Sequence, residues 1–227
     1  LRGRFRTTVN WQVGYTWSNA RDDASDVFDL GGAFALPQNS LTKSGEYGPS
    51  NYDTRHRLAY NINWMLPTLT GASKAKQLIL GGFEINSLGQ FQTGQPYTVN
   101  SILDINLDGN YTDRLNTTNG LQFVNNGRER VRLNTNFGSL WAPLGQDGAL
   151  ARNTFRGNNY LLLDLAIVKN FIITERQRLT FRTEAFNFLN HANFALPVRF
   201  LEAPSFGQAV DTVTPGRRIQ FALKYSF

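Results

Sequence analysis

Residues 104–113 read DINLDGNYTD, the densest run of side-chain oxygens in the chain. Asp104, Asn106 and Asp108 are spaced by two and followed by Gly109. That is the first half of a calcium loop, in which hard oxygen ligands surround a tight glycine turn. Asp113 adds another carboxylate. At the twelfth position an EF-hand needs a bidentate glutamate; this chain has Leu115, and no flanking helices are expected. Two readings therefore stand: a partial Ca2+ site on Asp104, Asn106, Asp108 and Asp113, or a solvated turn rich in Asx residues. Ca2+ is the one cofactor the sequence suggests.

Other reactive side chains are sparse. Asp22, Asp23, Asp26 and Asp29 fall in a polar segment and read as a solvated acidic turn rather than a cation contact. His56 and His191, the two histidines, sit at strand ends and suit structural or exposed roles better than a metal pair. There is no cysteine, which removes thiolate zinc sites, disulfides and cysteine nucleophiles. Gly81-Gly82 lacks the Lys-Ser/Thr of a phosphate loop, and no serine stands in a G-x-S-x-G context. No catalytic residue is expected, and the chain does not read as an enzyme. The net charge is +6, but Arg2, Arg4, Arg6, Arg55, Arg57, Arg128, Arg130 and Arg132 are spread along the chain. Without a clustered patch or a recognisable module, nucleic acid is not an expected partner.

The elements that hold these residues alternate with a period of two. Phe5, Val9, Trp11, Val13, Tyr15 and Trp17 share one parity; Leu58, Tyr60, Ile62 and Trp64 share another; Leu161 to Ile167, Leu179 to Ala185 and Ile219 to Phe227 repeat the pattern. The stretch from Gln77 to Thr93 is weaker, diluted by Gly81, Gly82 and Gly89. About six long strands follow. The links between them alternate in length: long over about 20–53, short over 67–76, very long over about 95–157, a tight turn at 174–177, and long over about 191–216. Short turns on one side and long loops on the other mark an outer-membrane barrel, where the apolar face meets lipid and the polar face lines a wet interior. On that reading Arg57, Asn61, Asn63, Asp164, Arg182, Glu184 and Lys224 face the lumen. A soluble β-sandwich lectin or hydrolase is the competing architecture for the same alternation. Leu1 is preceded by no Met or leader, so the chain reads as a fragment or processed product. Six strands cannot close a membrane barrel, so others are expected upstream.

Taken in order, "NYDTRHRLAYNINWMLP" (51–67), "GGFEINSLGQFQTGQPYTV" (81–99), "DINLDGNYTDRLN" (104–116), "RNTFRGNNYLLLDLAIVKNF" (152–171), "RLTFRTEAFNFLNHANF" (178–194) and "FGQAVDTVTPGRRIQFALKYSF" (206–227) resemble the TonB-dependent outer-membrane receptors, in the branch with an Oar-like barrel. The resemblance implies an all-β chain, residues 1–227, forming the C-terminal antiparallel strands of a barrel of about 22 strands. It also implies a plug domain and a TonB-contacting segment, neither of them in this chain. Outer-membrane lipid, the barrel-assembly machinery, TonB and an unidentified nutrient are the partners it implies. Ile219, Phe221, Leu223, Tyr225 and Phe227 resemble the terminal aromatic signal that such proteins present to that machinery, an amphipathic strand end able to add to a sheet edge. Import of a scarce nutrient (a chelated metal, glycan or peptide) is the expected function. Adhesion through the long loops, with nothing passing through, is the alternative.

Overall fold

The computed structural model describes residues 1–5, 8–25, 37–39, 41–43, 45–67, 71 and 73–227. Its framework is one seven-stranded sheet: β1 (Arg2–Phe5), β2 (Val9–Trp17), β3 (His56–Met65), β4 (Phe83–Gln92), β5 (Tyr160–Ile172), β6 (Arg178–Phe186) and β7 (Arg218–Ser226). Each strand pairs antiparallel with the next in the chain, so the order is a plain up-and-down meander. Strands β2 to β7 have nine to thirteen residues, close to the roughly 9–11 that carry a tilted strand across a bilayer. The sheet is open, with β1 and β7 at its edges. Among the described residues no helix is long and apolar enough to cross a membrane.

Seven strands replace the expected six because the first alternating segment is a hairpin. Phe5 pairs with Val9 and Arg4 with Asn10. Three intervening residues preserve parity, so alternation runs through this part of the sequence without a visible break. Arg6 and Thr7 lie outside the described residues.

A second correction concerns Gln77–Leu80, expected as the start of a strand. These residues belong to a short helix, α1 (Lys74–Leu80). Ser73 caps its start, accepting from the Lys76 amide at 3.4 Å. The Gly81 amide closes its end on the Gln77 carbonyl at 2.8 Å. Ala, Lys, Gln and Leu are good helix formers and Ser is a favoured cap, so local preference decides here. Ile79 is thus on a helix and not on a sheet face.

The registers resolve two faces. Trp11 stands opposite Ile62, and Tyr15 opposite Leu58. Leu58 meets Phe91, which meets Leu161. Leu165 meets Ala185, which meets Ile219. This apolar face is not covered: Trp17, Trp64, Ile167, Phe181, Phe221 and Leu223 are all exposed. Gly89 leaves room for a ring on it, since a Cβ there would stand 2.1 Å from Tyr60 Cε1.

The buried core lies elsewhere. Short links sit at 6–8, 66–82 and 173–177; the described residues of the long ones, 18–55, 93–159 and 187–217, pack together at the opposite rim. Tyr97, Val99, Leu115, Val131, Leu140, Phe155, Leu201 and Phe206 form a hydrophobic cluster in that cap. Two-stranded ribbons, Pro96–Tyr97 with Phe155–Arg156 and Leu121–Phe123 with Val131–Leu133, frame it.

Candidate functional site

Two regions carry polar side chains in organised arrays: the face of the sheet opposite the apolar one, and the cap. The strand registers place Arg57, Asn61, Asn63, Asp164, Arg182, Glu184 and Lys224 on that one polar face. Four of them, Asn61, Asp164, Arg182 and Glu184, line an open recess of about 370 Å³ together with Glu84 and Asn86. Asn63 Nδ2 donates to Glu84 Oε1 and to Asn86 Oδ1, both at 2.6 Å, and Asn86 Nδ2 returns to Glu84 Oε1 at 3.1 Å. Glu184 takes an ion pair from Arg182 and a hydrogen bond from Gln220. Asp164 Oδ1 accepts the Asn187 amide at 2.8 Å, where β6 ends in a left-handed turn (Asn187 φ +50°). Lys224 stands opposite Thr180, and Arg57 opposite Thr16 and Gln92. Such a wall offers paired donors and acceptors to water or a polar solute, and little to an apolar one. Glu84, Asn86 and Gln220 belong to it as firmly as the residues singled out from the sequence. Their signal was parity, blurred around β4 by its glycine and by Leu88.

Ile219, Phe221, Leu223 and Tyr225 project from the apolar face of β7, and Phe227 stacks on Tyr225 with ring centroids 5.7 Å apart. One cation shares the apolar parity. Lys169 pairs with Phe83 and Phe181, yet it is buried. Its ammonium donates to the Gly81 carbonyl and lies 4.4 Å and 5.0 Å from the Phe83 and Phe171 ring centroids. Aromatic faces and a carbonyl thus shield its charge.

The cap is tied by three arginines. Arg114 pairs with Glu46, both side chains about 5 % exposed, and also donates to the Gly45 carbonyl at 3.2 Å. Arg152 binds Asp22 and the Glu46 carbonyl; Arg156 binds Asp53 and its carbonyl. All three join the 18–55 link to the 93–159 link. Burial works against the charge on Asp22 and Asp53. Hydrogen bonds from Ser50, Arg152 and Ser25 to Asp22, and from Arg156, Ala20 and Arg55 to Asp53, more than offset it and hold both carboxyls below the usual 3.8. Asp22 is thus a structural anchor, not part of a free acidic turn; Asp23 is exposed, and Asp26 and Asp29 lie outside the described residues. His56 Nδ1 meets Tyr15 Oη at 2.7 Å, and His191 Nδ1 meets Asn193 Oδ1 at 3.1 Å.

The Asp104–Asp113 loop sits on this cap. Asp104 accepts the Asp108 and Gly109 amides at 3.1 and 3.0 Å, and Asp108 accepts the Asn110 amide at 2.9 Å. Leu107 (φ +64°) and Gly109 (φ +89°) turn the backbone left-handed, which glycine tolerates best. Asp113 is 1 % exposed; burial, together with the charges of Asp104 and Asp108, pushes its carboxyl up to about 6 against the pull of the Ile105 and Asn106 amides. Among the described residues no three His, Asp or Glu side chains gather closely enough to hold a metal by themselves.

No curated protein and no solved structure matches the chain. A family model, the outer membrane beta barrel domain, matches residues 1–220. The meander of membrane-length strands, bare apolar face, polar wall and alternating links are what such a domain requires. The chain belongs to the family of outer membrane beta barrel domains, and its place is the outer membrane.

Proposed function

We propose that this chain is the C-terminal part of the barrel of a TonB-dependent receptor that imports a scarce nutrient: a chelated metal, a glycan or a peptide. The observation that carries the reading is the polar wall with its open recess, interrupted on β4 by Leu88, in a domain whose other face is exposed hydrophobic. A wall of paired amides, carboxylates and guanidinium groups suits a wet conduit. In outer-membrane barrels long loops are extracellular, so the cap stands at the mouth, packed around its own hydrophobic cluster. The open edges of β1 and β7 would leave backbone groups unsatisfied in lipid. In this reading further strands close the barrel, a plug fills it and TonB supplies the energy. Ile219, Phe221, Leu223, Tyr225 and Phe227 are then the strand end offered to the assembly machinery. No chemical step is assigned to any residue.

The packed cap also favours a second reading, adhesion without transport, because an ordered rim held by buried ion pairs offers a defined binding surface. Cells making the full-length protein separate the two. Labelled ferric chelates, oligosaccharides and peptides are offered with and without a protonophore. Energy-dependent accumulation of one class supports import. Surface binding that the protonophore does not change, with no accumulation, supports adhesion and ends the import reading.

A further inference from the structure

We infer that the Asp104–Asp113 loop is a structural calcium site that is closed from Asp113 and braces the cap. The observation that points to a cation is an orphaned oxygen. Asp113 is almost completely buried, and its Oδ2 accepts the Ile105 amide at 2.6 Å and the Asn106 amide at 3.5 Å. Its Oδ1, equally inaccessible, has no hydrogen-bond partner. A buried carboxylate oxygen left bare is costly unless a counter-charge meets it. The neighbouring cation does not do so: Arg114 directs its guanidinium to Glu46 and Gly45. Asp104 is likewise held by neutral backbone amides.

The remaining ligands are on the same loop. Asn106 Nδ2 is taken by the Gln38 carbonyl and by Asp147 Oδ1, both at 2.9 Å. Those bonds hold the side-chain amide, and its Oδ1 accepts the Asp108 amide at 3.1 Å. Carboxylates alone do not complete a cage here. Calcium, however, takes 6–8 oxygens and accepts amide carbonyls, backbone carbonyls and water in irregular geometry. Magnesium demands near-octahedral order and dehydrates reluctantly, so the loop should prefer calcium. The departure from the EF-hand pattern also finds its reason. The twelfth residue, Leu115, is fully buried in the cap core and cannot supply a ligand. Asp113, two residues earlier, takes the closing position, so that metal binding and core packing are joined through Arg114.

The test uses full-length protein refolded in detergent micelles and stripped with a chelator. Calcium is added up to about 1 mM, the range of extracellular modules, with equal magnesium as the comparison. Proteolysis of the cap and its thermal loss are followed. The expected result is a cleavage rate that falls at least about fivefold, and a midpoint that rises by a few degrees, with calcium but not with magnesium. Asp113→Asn keeps the acceptor for the Ile105 amide but removes the charge, and it should abolish both effects. Asp104→Asn serves if Asp113→Asn does not refold. Asp211→Asn, in another link, should respond as wild type. No response of the wild type, an equal response to magnesium, or a full response in Asp113→Asn (or in Asp104→Asn where it stands in) would overturn the assignment.

Discussion

The sheet and the cap solve opposite problems with the same residue types. In the sheet, Trp17, Phe221 and Leu223 stand exposed while Asn63, Glu84 and Asn86 satisfy one another on the other face. In the cap, Leu115 and Leu140 are completely buried and Glu46 and Arg114 are sealed in with them. A region built for lipid on one side and water on the other needs no dry centre of its own. A region standing in water does, and it must pair every charge it buries. The cap is therefore a small globular fold carried on the rim, and the two regions should fail separately.

That separation can be broken most forcefully at the buried ion pair. Glu46→Ala leaves the Arg114 guanidinium uncompensated and should cost the cap about 3–5 kcal/mol. Proteolysis should open the 93–159 link, while the heat resistance of the barrel in detergent stays near wild type. Leu140→Ala should act in the same direction by about 2–5 kcal/mol through the cavity it leaves. Denaturant titration of the cap reads that loss.

The reciprocal change lies in the sheet. Leu223→Arg should cost about 2–4 kcal/mol if the position lies near mid-bilayer, measured by refolding into vesicles, with cap proteolysis unaltered once folded. Loss of the cap in that variant would join the two regions again. Phe227→Ser should lower the outer-membrane level of the full-length protein without changing the stability of molecules already inserted, as surface labelling against total protein would show.

The smallest effect is set by pH. The carboxyl of Asp53 is held below 3.8. Its contribution is therefore fully present above that value and is lost as pH falls through the lowered one. The stability difference between wild type and Asp53→Asn should be constant from about pH 7 to 5 and shrink below about 4. A difference that shrinks between pH 7 and 5 would place the interaction with another group.

How much was legible follows the same division. Alternation at Leu58 to Trp64 or Ile219 to Phe227 is a local property, and each side chain's face follows from the strand's period of two. Hence the polar wall, the apolar face and the rhythm of the links could be read without coordinates. The pairing of β1 with β2 escaped because three intervening residues preserve parity. Helix α1 escaped because Ile79 happened to match the strand's parity while Ser73 and its neighbours favoured a helix.

Sequence by itself determined the two-faced sheet, since nearest-neighbour geometry converts alternation directly into sides. Only the tertiary structure decided that the long links condense around Leu115, Leu140 and Phe155. It also decided that Arg114, Arg152 and Arg156 reach back to Glu46, Asp22 and Asp53, and that one oxygen of Asp113 is left bare. The arginine contacts join residues 68 to 130 positions apart along segments with no period. No local pattern encodes them, because their free energy comes from burial that exists only once the whole cap has closed.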